Sequence, residues 1–305
     1  MFLRRLASCF LFWATLILSM TLYPIETGNF KLDGGAMFGV VPKTLWTRTN
    51  PADSNNMIDI AARCLLIEEG NRLILVDTGL GNKQSDKFFG YYHLWGEHSL
   101  DASLKKVGFH RDDITDVFMT HLHFDHCGGS IQWNADRTGY EPAFKNAAFW
   151  TNEAHWRWAT EPNAREKASF LKENLLPMQE SGQLRFVNRN GSDFVENSEL
   201  GFGIFFVDGH TESQMLPLIK YNEKTILHCA DLIPSSSHIP LPYVMGYDVR
   251  PLQTMTEKEI ILEKAVSDDY VLFFEHDLDT ECATVHKTEK GVRLKERFSF
   301  GEVFS

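Results

Sequence analysis

Residues 120–130 read Thr-His-Leu-His-Phe-Asp-His-Cys-Gly-Gly-Ser, so the side chains of His121, His123, Asp125 and His126 fall within six positions. Neutral imidazole and carboxylate are the usual ligands of zinc and similar divalent cations, and no packing requirement calls for that density of them. The run Asp116-Val-Phe-Met119 leads into the cluster as a strand, and Gly128-Gly129 closes it. In extended chain His121 and His123, two apart, point the same way. Asp125 and His126 come after the turn and can face a second cation beside the first. Two cations sharing a water would lower its pKa from 15.7 to roughly 7, giving a hydroxide nucleophile at neutral pH. No serine or cysteine nucleophile is then required.

Such a centre needs further ligands, expected at strand ends. Val207-Asp208-Gly209-His210 ends an apolar run in Gly-His, Leu227-His228-Cys229-Ala230-Asp231 ends one in Asp, and Leu272-Phe273-Phe274-Glu275-His276 ends one in His. Alone, each reads as a capping residue; following the first cluster in this order, they read as one constellation.

With these residues in place, the chain resembles the metallo-β-lactamase-fold hydrolases. Their pattern is an early Asp-Thr-Gly turn, a His-x-His-x-Asp-His cluster, a Gly-His, a strand-end Asp and a late His. It is matched by Asp77-Thr78-Gly79, His121 to His126, Gly209-His210, Asp231 and His276. The resemblance implies an α/β fold, an αββα sandwich of two mixed β-sheets flanked by helices. It also implies two divalent metal ions, taken as Zn2+. His121, His123 and His210 would hold one, Asp125, His126 and His276 the other, and Asp231 would bridge them. Asp77 would brace the ligand loop from behind. Asp125 and Asp231 are the expected catalytic carboxylates, Asp125 orienting the hydroxide or passing a proton to the leaving group.

The implied reaction is hydrolysis of an ester, lactone or related bond of a small-molecule substrate. True β-lactamases of this fold usually lack Asp at the bridging position, so Asp231 points away from them. Thr120 to His126 and Glu275-His276-Asp277 are similar to the N-acyl-homoserine lactonases. Thr211-Glu-Ser-Gln214 and Pro234 depart from those enzymes. Phosphotriesterases of the methyl-parathion-hydrolase type and glyoxalase II-like thioester hydrolases therefore stay open. A sulfur dioxygenase would show a reduced ligand set, and a nuclease a basic surface.

The elements that must position these residues are short. Strands are expected at 21–25, 61–68, 72–77, 116–120, 148–150, 184–187, 203–207, 215–220, 224–229 and 270–275, and helices at 99–107, 152–160, 164–180 and 258–267. Two aromatic-rich stretches, Phe88 to Trp95 and Trp150 to Phe170, read as walls of an apolar substrate pocket. Phe88, Trp156, Trp158 and His238, the last in the loop after Asp231, are the expected pocket residues. His93, His98, His110, His155 and His286 match no ligand position.

The 305 residues are 43% hydrophobic and 23% charged, as in globular proteins. A net charge of −11 argues against nucleic acid as a partner. Five scattered cysteines with no Cys-x-x-Cys pair speak against a disulfide framework, and a cytoplasmic location is expected. A homodimer is compatible with this reading. Residues 1–19, with Arg4 and Arg5 before an apolar run, read as a signal-like segment, an anchor or an extension upstream of a start at Met20. Residues 20–305 read as one domain.

Overall fold

Strand after strand carries apolar side chains on both faces, and the two faces serve different layers. Leu65 and Ile67 join one cluster while Cys64 and Leu66 join another, and Ile74 and Val76 part from Leu75 in the same way. In the second half Ile204 and Phe206 part from Phe205 and Val207, as Val271 and Phe273 do from Leu272 and Phe274. Successive side chains of a strand point to opposite faces, so sheets of such strands must be covered on both sides.

The structure, a computed structural model that describes residues 20–304, meets that demand with four layers. The segment 1–19, expected to be signal-like, an anchor or an upstream extension, lies outside the described residues. A six-stranded sheet runs in the order Met20–Asp33, Met57–Glu69, Arg72–Val76, Asp116–Phe118, Ala148–Thr151 and Leu184–Phe186. A seven-stranded sheet runs Gly291–Phe298, Cys282–Thr288, Tyr270–Phe273, Lys224–His228, Gln214–Tyr221, Gly203–Val207 and Phe194–Val195. Both are mixed. Arg72–Val76, Asp116–Phe118, Ala148–Thr151 and Leu184–Phe186 pair in parallel, as do Lys224–His228 and Tyr270–Phe273.

Between the sheets, Leu65, Ile67, Val76 and Phe118 face Ile204, Phe206, Val271 and Phe273. The outer face of the first sheet is covered through Leu100, Leu104, Trp156, Leu175 and Met178, that of the second through Ile261, Leu262 and Ala265 of the helix Pro251–Ser267. This is the αββα sandwich expected from the sequence.

Several strands, Cys282–Thr288 and Gly291–Phe298 foremost, were not expected from the sequence, and several expected elements differ in extent. The first strand continues to Asp33, past an irregularity between Glu26 and Asn29, because Met57–Glu69 pairs with it along its whole length. The helix expected over 164–180 is confined to Lys172–Glu180. The residues before it form turns that carry Glu166 inward to 3% exposure and let the Ser169 carbonyl accept from the Phe124 N–H at 3.0 Å. The helix expected from Lys258 starts at Pro251, whose fixed φ suits a first turn. Among the described residues no helix is long and apolar enough to cross a membrane.

Candidate metal centre

The expected ligands all follow the C-terminal ends of strands. His121 to His126 come after Asp116–Phe118, His210 after Gly203–Val207, Asp231 after Lys224–His228 and His276 after Tyr270–Phe273. Asp125 and His126 sit on the one-turn helix Phe124–Cys127. Gly128 and Gly129 pack so closely on the Leu80 and Thr78 carbonyls that a Cβ at either position would collide with them. That contact presses the ligand turn onto the Asp77-Thr78-Gly79 loop. Cys127 faces away, its thiol donating to the Leu122 carbonyl at 3.3 Å.

The seven side chains converge as two groups. His121, His123, His210 and Asp231 form one, and Asp125, His126 and His276 the other; within each, the potential ligand atoms lie within 4.8 Å of one another. Asp231 faces both. Its Oδ2 is 3.3 Å from His210 Nε2 and 3.9 Å from His121 Nε2, while its Oδ1 is 3.3 Å from His126 Nε2 and 3.1 Å from His276 Nε2. Asp125 Oδ2 lies 3.8 Å from His276 Nε2.

His121, His126, His210 and His276 each have one nitrogen turned inward and the other held by an outer acceptor. His276 Nδ1 meets the Ala61 carbonyl at 2.8 Å, His210 Nδ1 meets Asp248 Oδ1 at 2.9 Å, and His126 Nδ1 meets Asp77 Oδ2 at 3.1 Å. His121 Nδ1 lies 3.1 Å from the Thr120 hydroxyl, which itself donates to Asp77. His123 Nε2 faces Glu166 Oε1 at 3.4 Å. An acceptor on one ring nitrogen places the proton there and leaves a lone pair on the other.

The inward lone pairs then crowd together. His276 Nε2 is 3.1 Å from His126 Nε2, and His123 Nδ1 is 3.1 Å from His121 Nε2 and 3.2 Å from His210 Nε2. Asp231 Oδ1 is buried with no hydrogen-bond partner among the described residues. Facing lone pairs beside an unpartnered carboxylate repel unless a cation lies among them. The donor set therefore fits divalent metal ions. The local field agrees: burial opposes charge on His276, yet Asp231 outweighs it and pushes the imidazole up to about 9. Burial would also raise Asp231, but His126, His276 and His210 hold it well below the usual carboxylate range.

Asp77 stands where the sequence placed it. Its φ of 58° is left-handed, a region Asp tolerates better than most residues. From there Oδ1 accepts from the Thr120 N–H at 2.8 Å and Oδ2 from the Thr120 hydroxyl at 2.6 Å.

Four supporting residues were not foreseen. Asp248 holds His210, and Glu275 Oε2 lies 3.2 Å from His126 Nδ1. Burial and the neighbouring Asp77 push Glu275 up to about 8 against the pull of His126. His155 Nε2 accepts from the Leu122 N–H at 2.8 Å, fixing the backbone between two ligands. Glu166 accepts from Trp158 Nε1, Asn163 Nδ2 and the Thr211 hydroxyl while facing His123. Burial would raise Glu166, but His123 and Thr211 outweigh it and hold the carboxyl at about 2. Replacing Glu166 by Gln turns an amide N–H toward one of these donors and removes the charge behind His123. The metal affinity of this variant is expected to fall about 10-fold or more, read by competition with a chromophoric chelator.

A cavity of about 350 Å³ opens on His123, Asp125, His210, Asp231 and His276. Its wall corrects the expected pocket, for Phe88, Trp156, Trp158 and His238 are not on it. Trp156 packs into the core beneath the first sheet, and Trp158 is turned to Glu166. Phe88 backs Phe124 and Tyr92. His238 is buried, stacked on Phe38 at 4.5 Å, with Nε2 at 2.9 Å from the Met37 carbonyl. The wall is made instead by Leu32, Met37, Tyr92, Phe124, Met245 and Tyr247, with Arg165 and Ser169 among its polar groups.

Comparison with known proteins agrees with this geometry. The family model of the metallo-beta-lactamase superfamily matches residues 59–276. An N-acyl homoserine lactonase of Bacillus cereus is 22% identical over 241 residues, covering 74% of this chain and 85% of the relative. The crystal structure of a probable metal-dependent hydrolase from Staphylococcus aureus superposes with a TM-score of 0.77 at 26% identity, covering 92% of this chain and 99% of the other. A dizinc quorum-quenching lactonase shares the fold at a TM-score of 0.72 and 21% identity, covering 92% and 96% of the two chains. With the family model spanning most of the sandwich and every strand-end ligand position filled, the chain belongs to the metallo-beta-lactamase superfamily, as a hydrolase of that superfamily.

Proposed function

We propose that this hydrolase cleaves an ester or lactone bond of a small molecule at a binuclear centre. His121, His123 and His210 would hold one cation, and Asp125, His126 and His276 the other, with Asp231 shared. The observation that carries the reading is the split of Asp231, whose two oxygens face the two histidine groups separately. When bound, two divalent cations supply Lewis acidity and lower the pKa of water to roughly 7; zinc suits the His and Asp donors.

The chain's own residues do the rest. Asp125, at the cavity wall beside His276, is placed to orient a water or pass its proton to the leaving group. Leu32, Met37 and Met245 would exclude solvent from an apolar part of the substrate. The similarity to a lactonase over 74% of the chain supports this bond class.

Metal analysis joined to a substrate panel tests the reading. The panel holds homoserine lactones, aryl esters, S-lactoylglutathione, a phosphotriester and a cephalosporin. About two divalent ions per chain and turnover of esters or lactones are expected. Hydrolysis of the cephalosporin alone, or full turnover by metal-free protein, would overturn it. Removing the ions with a chelator is expected to lower the melting temperature, since a ligand that binds only the native state stabilises it. Restoring them should recover both stability and turnover.

A further inference from the structure

The cavity wall carries polar groups that neither the metal centre nor the fold employs. Arg165 is exposed at the wall, and its guanidinium forms no ion pair among the described residues. Nη2 donates to the Gly246 carbonyl and, at 3.3 Å, to the Asp248 carbonyl; Nε and Nη1 make no hydrogen bond among the described residues. Glu166, though next in sequence, turns its carboxylate away to Thr211, Trp158, Asn163 and His123 and forms no ion pair with Arg165. Arg165 is thus oriented by the loop on the opposite side of the cavity mouth, with donors to spare.

The Tyr92, Tyr247 and Ser169 hydroxyls lie on the same wall and make no hydrogen bond among the described residues. Phenols keep their protons at neutral pH, having an unperturbed pKa of about 10. Apart from the candidate metal ligands and Glu166, the free polar groups here are one guanidinium and three hydroxyls. No unengaged carboxylate or amide stands among them. A wall rich in donors, with a fixed positive charge and apolar patches between, is complementary to an anionic acceptor carried on a short apolar arm. Arginine suits a carboxylate there because its planar fork can donate two parallel hydrogen bonds. The choice stands out in a chain of 41 acidic and 30 basic residues.

We propose that Arg165 is a specificity-determining residue that selects esters or lactones bearing a carboxylate away from the bond that is cleaved. This rests on the reading of the cavity as the site of hydrolysis.

Two matched pairs test it on the metal-loaded full chain. Para-nitrophenyl butyrate against mono-para-nitrophenyl glutarate places the carboxylate on the acyl side. Para-tolyl acetate against para-acetoxybenzoate places it on the alcohol side. The ratio of kcat/KM, carboxylate over neutral, is expected to reach about 10 in one pair, the scale of a charge-assisted hydrogen bond reduced by solvent exposure. The responding pair tells on which side the carboxylate lies. The ratio should fall at least about 10-fold in Arg165→Glu and be partly kept in Arg165→Lys.

A wild-type ratio near one, or a ratio unchanged in Arg165→Glu, overturns the proposal. Displacement of the Gly246 loop alone would lower both members of a pair and leave the ratio standing. If no ester of either pair is turned over, the hydrolytic reading suffers, and calorimetry of glutarate against butyrate decides the role of Arg165 by itself. Tighter binding of glutarate that is lost in Arg165→Glu supports the role, and equal binding overturns it.

Discussion

Replacing Asp231 by Ala is expected to remove metal and hydrolysis together. Four imidazole nitrogens, those of His121, His126, His210 and His276, lie 3.1 to 3.9 Å from its two oxygens. Among the described residues it is the side chain whose two oxygens face the two groups separately. The histidines keep their outer acceptors in the variant, so their inward lone pairs remain crowded but lose the anion that offsets two dipositive charges. Water is acidified at neutral pH only through the cation, from 15.7 to roughly 7. Turnover should therefore fall by roughly 1,000-fold or more. Metal content should drop from about two ions per chain to one or fewer. The melting temperatures with and without added metal should converge. Asp231→Asn separates charge from shape, because the amide keeps one oxygen of similar reach. If Asn retains both metal and rate, the bridging charge is not what holds the centre together.

The same residue shows why so much of the site was legible. Asp231, His210 and His276 each end an apolar run, and a ligand-type side chain at the mouth of a buried strand has few structural reasons to be there. The six-residue cluster announced itself by density. The sandwich was legible for a related reason: runs such as Ala61 to Ile67, apolar on both faces, require cover on both faces.

The supporting residues did not show because each acts across a gap in sequence. Asp248 meets His210 from 38 positions away, and His155 meets Leu122 from 33. Glu166 lay inside the helix expected over 164–180, where the Asn163 side chain turns the backbone and Thr211 and His123 hold the carboxylate inward. Glu275 alone left a visible sign, an acid directly after Leu272-Phe273-Phe274 at the end of a buried strand. The pocket was misjudged for a different reason. Aromatic density marks where bulk is buried but not which way it faces, so Trp156 went to the core while Tyr92, from the other aromatic stretch, reached the wall. Met37, Met245 and Tyr247 come from stretches with no chemical signature at all.

Lys258→Met is expected to destabilise the protein while leaving every candidate ligand in place. Lys258 is fully buried, and its ammonium donates to the carbonyls of His238, Pro240 and Tyr243 at 2.9, 3.1 and 2.8 Å. These carbonyls belong to the loop that leaves Asp231 and goes on to supply Met245, Gly246 and Tyr247 to the cavity. His238 itself is stacked on Phe38 and bound to Met37, which leaves the loop little freedom to turn its carbonyls toward water. Methionine fills a similar volume but offers no donor, so one buried acceptor, the His238 carbonyl, and two half-buried ones lose their partner. A buried orphan costs about 1 kcal/mol or more and a half-buried one less, while relief of the buried charge offsets part of it, giving a loss of about 1 to 3 kcal/mol. In a domain of this size that lowers the melting temperature by roughly 2 to 12 °C. The Met245–Tyr247 wall should loosen with the loop, so that KM rises while metal content stays unchanged. Unfolding in denaturant gives the first quantity, and steady-state kinetics on metal-analysed protein the second. A Lys258→Met protein with wild-type stability would mean that the loop finds other donors and that the buried ammonium is dispensable.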